Sequence, residues 1–356
     1  CTVQENESFH NLAPDQGNGI YGFNAAGNLF QRNRAHDNAY NGIMMSTGAV
    51  NNVLVQNRSW NNANQGIEDV FCTGNRHVGD VSYGNSWNGF AIEGGATGTA
   101  LINCVAVNNG HVAGASELKV DASSTSGFTA SDNLYWNPVP GATVIRFGGT
   151  TYSSVSLYKL ATGKDGRTLQ ADPRFASPAA GDFRPTAGSP LIDAANSGVV
   201  NWPSTDAAGN GRVDDLTTAN TGRGPVKYAD RGALEYLAPN QPPVAQLLLS
   251  PSSGQAPLLV TANASGSSDP ERGRIASYRF DFGDGTVVGP QSGATATHTY
   301  TAAGRWLASV TVTDSLGATG VASAASTVSA GAVSTLAFVQ QPSTSVAGTT
   351  LTPPVT

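Results

Sequence analysis

The chain is poor in most of what builds a helical or disulfide-stapled domain. Of its 356 residues only 12% are charged, two are Met and three are Cys. Three cysteines make no disulfide framework, and Cys1 and Cys72 fall about three repeats apart, roughly 14 Å at ~4.8 Å per stacked coil, too far to bridge. No disulfide is expected, which leaves the compartment open on redox grounds. No apolar run approaches the ~20 residues that a membrane-spanning helix needs, and no basic-then-apolar secretory signal opens the chain. The net charge is −6 and there is no basic stripe, so a nucleic-acid partner is not expected. Abundant instead are Gly, 42 residues, and Asn, which suit turn-dense β structure and weaken helix interiors.

The Asn residues are periodic. Asn, Asp or Cys is followed five positions later by Asn at Asn6/Asn11, Asn33/Asn38, Asn57/Asn62, Asp80/Asn85, Cys104/Asn109 and Asp132/Asn137, with steps of 27, 24, 23, 24 and 28 residues. A short period in a polar, Gly-rich chain marks the coils of a solenoid, each stacked on its neighbours because none buries its apolar face alone. Residue 1 already lies inside a repeat, so the chain looks cut at its N-terminus.

In the third coil, Val53–Asn62, strand alternation places Val55, Asn57 and Ser59 inward and Gln56, Arg58 and Trp60 outward. Equivalents of Val55 read as Val78, Ile102 and Ala130. The inward Asn side chains are expected to hydrogen-bond from coil to coil, satisfying amides that would be costly to bury alone, and the second Asn of each pair to cap a turn in left-handed conformation. Both columns are then structural. A further strand starts at Gly19, Gly42, Gly66 and Gly89, and less clearly at Gly114. Its outward slots hold Tyr21, Met44, Glu68 and Ala91, then Val70 and Glu93, followed one coil on by Glu117-Leu-Lys119-Val-Asp121. The charge of a weakly charged solenoid concentrates on this face. The frame decays from about residue 138, residues 150–170 have room for a short helix, and the polar loops of 166–238 are what is needed to close a solenoid whose end would otherwise template aggregation.

Pro239-Asn-Gln-Pro-Pro243 is a stiff linker and the clearest boundary. Beyond it, short alternating strands at Leu258–Ala262, Ile275–Phe280 and Trp306–Val312, with turns at Gly283-Asp-Gly285 and Gly317, predict a β-sandwich over 244–330. Residues 331–356 read as a Ser/Thr/Ala-rich linker and the first strand of a further module.

Three resemblances add to this reading. The segment Ser265–Pro270, Tyr278-Arg-Phe-Asp-Phe-Gly-Asp-Gly285, His298-Thr-Tyr300 and Val310–Asp314 resembles a polycystic-kidney-disease (PKD) domain, with Phe280 where the family usually has Trp. The resemblance implies an immunoglobulin-like sandwich in an extracellular protein, serving as spacer or contact module. Some members bind Ca²⁺, and Asn263, Asp281 and Asp314 occupy the matching positions with oxygen ligands that suit this hard cation. The closing block is similar to segments that follow parallel β-helices of secreted, cell-surface bacterial proteins. Gly89-Phe-Ala-Ile-Glu-Gly-Gly95 and Asn103-Cys-Val-Ala-Val-Asn-Asn109 are similar to the family 9 pectate lyases.

The expected fold is therefore all-β: a right-handed parallel β-helix over 1–165 with its closing segment, then the PKD sandwich. The lyase resemblance implies β-elimination on a uronate, with a base to take the proton beside the carboxylate and usually Ca²⁺ to neutralise it. The family's base is a Lys two residues after the Gly of the Gly-Phe pair, where this chain has Ala91. Lys119 is the available substitute, and Glu68, Asp69 and Asn64 make only a thin metal cluster. The competing chemistry uses Glu68 and Glu93 as paired carboxylates, roughly 7–8 Å apart by their register, a spacing that suits an inverting glycosidase. Glu117 and Asp69 extend this face, and Tyr21 and Met44 would stack a sugar. The partner expected is a polysaccharide, bound by a secreted or surface-attached protein. A non-catalytic adhesin or surface rod is the alternative reading; a trimeric tail-type rod fits an appended PKD module less well, so a monomer is expected.

Overall fold

The computed structural model describes residues 1–13, 16–270 and 274–331. The expected start of a further module lies outside the described residues from 332 onward. The chain divides into two compact units, the second beginning at Pro239.

In the first unit each coil gives one short strand to each of three parallel sheets, making a solenoid of about six turns. Sheet A stacks Thr2–Gln4, Leu29–Gln31, Val53–Val55, Arg76–Val78, Ala100–Ile102 and Thr129–Ser131. Sheet B stacks Glu7–Phe9, Arg34–His36, Arg58–Trp60, Val81–Tyr83, Val105–Val107 and Leu134–Trp136. Sheet C stacks Ile20–Phe23, Ile43–Ser46, Ile67–Val70, Phe90–Glu93, Leu118–Val120 and Ile145–Phe147, ending in antiparallel Thr150–Tyr152.

The strands are short because a left-handed residue bends the chain between sheets A and B in every coil: Glu5, Arg32, Gln56, Gly79, Asn103 and Asp132, with φ between 55° and 68°. This bend corrects the continuous alternation expected over Val53–Ser59. Leu54, not Val55, belongs to the core, in one row with Phe30 and Leu101. Val55, Val78 and Ile102 stand on the other side of sheet A and are buried all the same. Ala130 pairs with Leu101 and Ser131 with Ile102, one residue off the expected equivalence.

The left-handed residue precedes each ladder residue rather than being one, so Asn11, Asn38, Asn62, Asn85 and Asn109 do not themselves adopt that conformation. They form the ladder instead. Asn38 Nδ2 donates to Asn62 Oδ1 at 2.9 Å, Asn62 to Asn85 at 2.9 Å and Asn85 to Asn109 at 2.9 Å, while each backbone N–H donates to the same oxygen. The column Asn6–Asn33–Asn57–Asp80 is built alike. Two further ladders, Asn28–Asn52–Asn75 and Asn41–Gln65–Asn88–Ser116, went unread in the sequence. The sixth frame is shifted by one: Asn133 accepts from the Cys104 N–H at 2.8 Å, and Asp132 is the bend residue.

The helix α1, Val155–Thr162, lies where room for one was expected, N-capped by Ser154, with Val155 and Tyr158 packed onto the end of the solenoid core. The closing segment then runs back along the solenoid. Phe183, Leu191, Ala233 and Leu234 pack against Trp60, Val81, Val105, Val107 and Leu134 of sheet B, forming a second core outside the coil. Asn103 exchanges hydrogen bonds with Asn196, and Arg167 and Arg223 both pair with Asp132. The three thiols are unpaired, Cys72 and Cys104 being buried. Among the described residues no helix is long and apolar enough to cross a membrane.

The second unit is a sandwich of a three-stranded sheet, Leu248–Ser250, Leu258–Asn263 and Thr295–Tyr300, and a five-stranded one, Ser253–Gln255, Thr319–Ser329, Gly304–Asp314, Ile275–Asp281 and Val287–Gln291. Val260, Phe280, Phe282, Tyr300 and Val310 fill its core, and Tyr300 Oη donates to the Phe282 carbonyl at 2.8 Å.

Candidate functional site

Sheet C carries the densest outward chemistry. Its register aligns Tyr21, Met44, Glu68, Ala91, Lys119 and Arg146 in one column and Phe23, Ser46, Val70 and Glu93 in the next but one. Tyr21 and Phe23 are exposed and their rings lie 6.0 Å apart. Ala91 has no exposed surface, and around it sit Glu68 on the preceding coil, Glu93 on its own and Lys119 on the next.

Glu68 is 5% exposed and accepts from Asn41 Nδ2 at 2.5 Å. Burial, then the neighbouring carboxyl of Glu93, pushes its pKa up to about 9, so it is neutral at physiological pH. Glu93 is ion-paired with Lys119, both side chains partly exposed. The two positions are diagonal in register: Glu68 pairs with Ala91, and Glu93 stands two residues further along that strand, paired with Val70.

Two residues expected on this face are elsewhere. Asp69 lies in the inward row with Met45 and Ile92, fully buried. It accepts from Thr99 Oγ1 at 2.7 Å and Asn75 Nδ2 at 3.2 Å, and lies 3.4 Å from His77 Nε2. His77 is wholly buried between Asp69 and Asp80; burial alone would lower its pKa, but the two carboxylates outweigh that and raise it to about 9.

Glu117 is also buried, because the expected alignment of Gly114 with Gly89 is wrong: Phe90 pairs with Leu118, which puts Glu117 in the glycine row. In earlier coils that row admits no side chain, since a Cβ on Gly66 would sit 2.0 Å from Ser82 Oγ and 2.6 Å from Asn85 Nδ2. At the last coil the carboxylate takes the acceptor role of a next Asn. It receives the Asn109 N–H at 3.0 Å, Asn109 Nδ2 at 2.6 Å and Asn137 Nδ2 at 2.8 Å. Burial still raises its pKa to about 8.

In the second unit the three expected metal ligands do not converge. Asp314 pairs with Ile275 and Asp281 with Ser309, so the two acids stand at opposite ends of one strand pair, about 20 Å apart at ~3.4 Å per residue. Each closes its own turn: Asn263 Oδ1 on Ser265 N–H, Asp281 Oδ1 on Gly283 N–H, and Asp314 Oδ1 on Leu316 and Ala318 N–H. These residues do not fit one Ca²⁺ site. Among the described residues no group of three or more His, Cys, Asp or Glu side chains is arranged to hold a metal.

Sequence reasoning missed Arg146 and the neutralising contacts of Glu68. The alternation Ile145-Arg-Phe147, matching Leu118-Lys-Val120, was the signal for Arg146. It also missed the sheet B column Phe9, His36, Trp60, Tyr83, Val107 and Trp136, in which Phe9, His36 and Trp60 stack with centroids 5.2 and 4.1 Å apart. Where the closing segment meets that column it leaves a cleft of about 300 Å³ floored by Tyr83, Trp136 and Phe175.

Residues 1–138 match the family described as right handed beta helix region, and residues 240–329 match the PKD domain family. The PKD1 domain of Vibrio anguillarum Epp is 34% identical over 26% of this chain and all of that one, with a TM-score of 0.22. A structure of carbohydrate-binding modules from the beta-sandwich superfamily is 36% identical, with a TM-score of 0.25, over 26% of this chain; the chain spans 36% of that protein's length. Pectate lyase Pel9A is 15% identical over 65% of this chain and 70% of its own, with a TM-score of 0.31. No curated protein matches the chain. The chain is a right-handed β-helix protein, and through residues 240–329 it belongs to the PKD domain family.

Proposed function

We propose that the solenoid acts on an acidic polysaccharide laid along sheet C, by proton abstraction beside a uronate carboxylate and β-elimination. The observation that carries this is the neutral Glu68, carboxylate Glu93 and ammonium Lys119 gathered over Ala91 on an otherwise sparsely charged surface. Lys119, with Arg146 beyond it, supplies positive charge for the substrate carboxylate. Glu93, partly exposed and paired with Lys119, takes the proton from the carbon beside that carboxylate. The electron pair forms the carbon–carbon double bond as the glycosidic carbon–oxygen bond breaks, and the departing oxygen takes up a proton from Glu93 or water. Tyr21, Met44 and Phe23 offer stacking surface further along sheet C. The protein is secreted or surface-attached in this reading, a monomer, and the PKD unit is a spacer or contact module.

Incubation with polygalacturonate, alginate and a neutral glycan, following unsaturated product and reducing ends, tests the proposal. Unsaturated product from an acidic polymer, reduced at least a hundredfold by Glu93→Gln in folded protein, is expected. Reducing ends without unsaturation would point to hydrolysis. Glycan binding with no product of either kind would leave a non-catalytic surface rod as the reading.

A further inference from the structure

The closing segment does not cover all of sheet B. In one outward column Tyr83, Val107 and Trp136 follow one another coil by coil, so the two rings stand two coils apart, about 9.6 Å at ~4.8 Å per coil, with the shorter Val107 between them. Phe175 of the closing segment completes the resulting cleft of about 300 Å³. Its rings are set in place from behind: buried Phe183 lies 5.8 Å from Tyr83 and 5.4 Å from Phe175, centroid to centroid.

The polar residues that line the cleft are pinned by their backbones and uncommitted at their tips. Arg174 is left-handed, with φ at 50°, a conformation that a residue other than glycine keeps only where its surroundings impose it. Its carbonyl accepts from the Thr186 N–H at 2.9 Å and hydroxyl at 2.8 Å, its N–H donates to Asp172 Oδ1 at 2.8 Å, and the Pro173 carbonyl accepts from Ser189 Oγ at 2.6 Å. Among the described residues the Arg174 guanidinium and Asp172 Oδ2 have no hydrogen-bond or ion-pair partner. The same holds for the side-chain amide of Asn108, at the bend that follows Val107. At the equivalent bend two coils earlier Asn61 spends its amide on the Ala179 carbonyl at 3.5 Å, and Gly84 between them offers no side chain.

We infer that this cleft binds one uronate ring of an acidic glycan, as a holding site separate from sheet C. Sugar C–H groups pack on aromatic faces, which Tyr83, Trp136 and Phe175 supply. The Arg174 fork receives the carboxylate with paired N–H donors, and Asp172 Oδ2 and the Asn108 amide receive hydroxyls. About 300 Å³ is the lower end of ligand-site volumes and suits a single ring. An uncharged sugar would leave Arg174 unused, hence the acidic class. The cleft lies on a different sheet from Glu93 and Lys119, so it holds a chain whether or not sheet C cleaves it.

The test is a titration of the full chain carrying Glu93→Gln, so that the sugar is not consumed, with tri-galacturonate and in parallel with cellotriose, followed by tryptophan fluorescence. Tri-galacturonate is expected to change the fluorescence, and cellotriose to bind at least tenfold more weakly. Trp136→Ala should abolish the change, and Arg174→Ala, at an exposed side chain, should weaken binding at least tenfold in folded protein. Lys119→Ala on sheet C should leave both the change and its midpoint as they were. Absence of any fluorescence change would overturn the inference, as would a change that Arg174→Ala leaves intact or that cellotriose produces equally well. Loss of the change on Lys119→Ala would place the sugar on sheet C and overturn it too. Failure of sheet C to yield unsaturated product leaves these readouts untouched.

Discussion

Sheets B and C are built from the same coils by the same rules, yet one outward face is closed and the other open. On sheet B, Trp60 and Val105 are buried under Phe183, Leu191 and Leu234 of the closing segment. On sheet C the equivalent outward positions hold Tyr21, Glu93 and Lys119, and among the described residues no second core forms over them. A solenoid offers every outward column to solvent in turn, so what the chain does after its last coil decides which columns become core and which remain free for a ligand.

The comparison can be broken most severely at Trp60. It stacks on His36 and meets Phe183 edge-on at 5.6 Å, so Trp60→Ala is expected to cost about 3–5 kcal/mol in urea unfolding, by opening a cavity beneath the closing segment. An effect under ~1 kcal/mol would mean that sheet B is not held by that core. Next comes the ladder's end. Glu117→Ala strands the Asn109 N–H and amide and should cost about 2–3 kcal/mol, whereas Glu117→Gln keeps an acceptor and should stay within ~1 kcal/mol. Equal losses for the two variants would show that an acceptor at this position is not enough.

The titratable groups give a pH dependence with a definite sign. Glu68 and Glu117 keep protons in the folded state that the unfolded chain releases from about pH 4.5 upward, so each subtracts stability as pH rises toward about 9 and about 8 respectively. His77, raised from 6.5 to about 9, stabilises below 6.5, and that contribution is lost as pH rises to 9. All three act in one direction, and the melting temperature should fall from pH 6.5 to 9. Glu68→Gln should flatten part of that slope, and an unchanged slope would exclude Glu68 as a contributor. The smallest effect is expected at the far end of the open face: Tyr21→Ala should leave stability within ~0.5 kcal/mol while weakening polysaccharide binding several-fold in affinity electrophoresis.

The coil period, the sheet C register from Tyr21 to Ala91 and the strands of the sandwich were legible because stacking forces chemically similar residues to recur at a fixed step. Legibility failed where the step changed. A coil lengthened after Asn109 hid the equivalence of Gly89 and Glu117, and with it the burial of that acid. The bend at Gln56 hid the exchange of Val55 for Leu54 in the core. Asp69 could not be told from Glu68 by composition, since adjacent residues in a strand face opposite sides and only the coil's curvature says which is inside.

Taken by itself, the sequence determined that this protein is a stacked β solenoid followed by a PKD sandwich, because repeat length and turn chemistry act locally, within one coil and its neighbours. Only the tertiary structure decided that Glu93 pairs with Lys119, that Glu117 terminates a ladder and that the closing segment covers sheet B. Those outcomes depend on side-chain reach and on residues far apart in the chain, as with the Asp132 that Arg167 and Arg223 come back to meet.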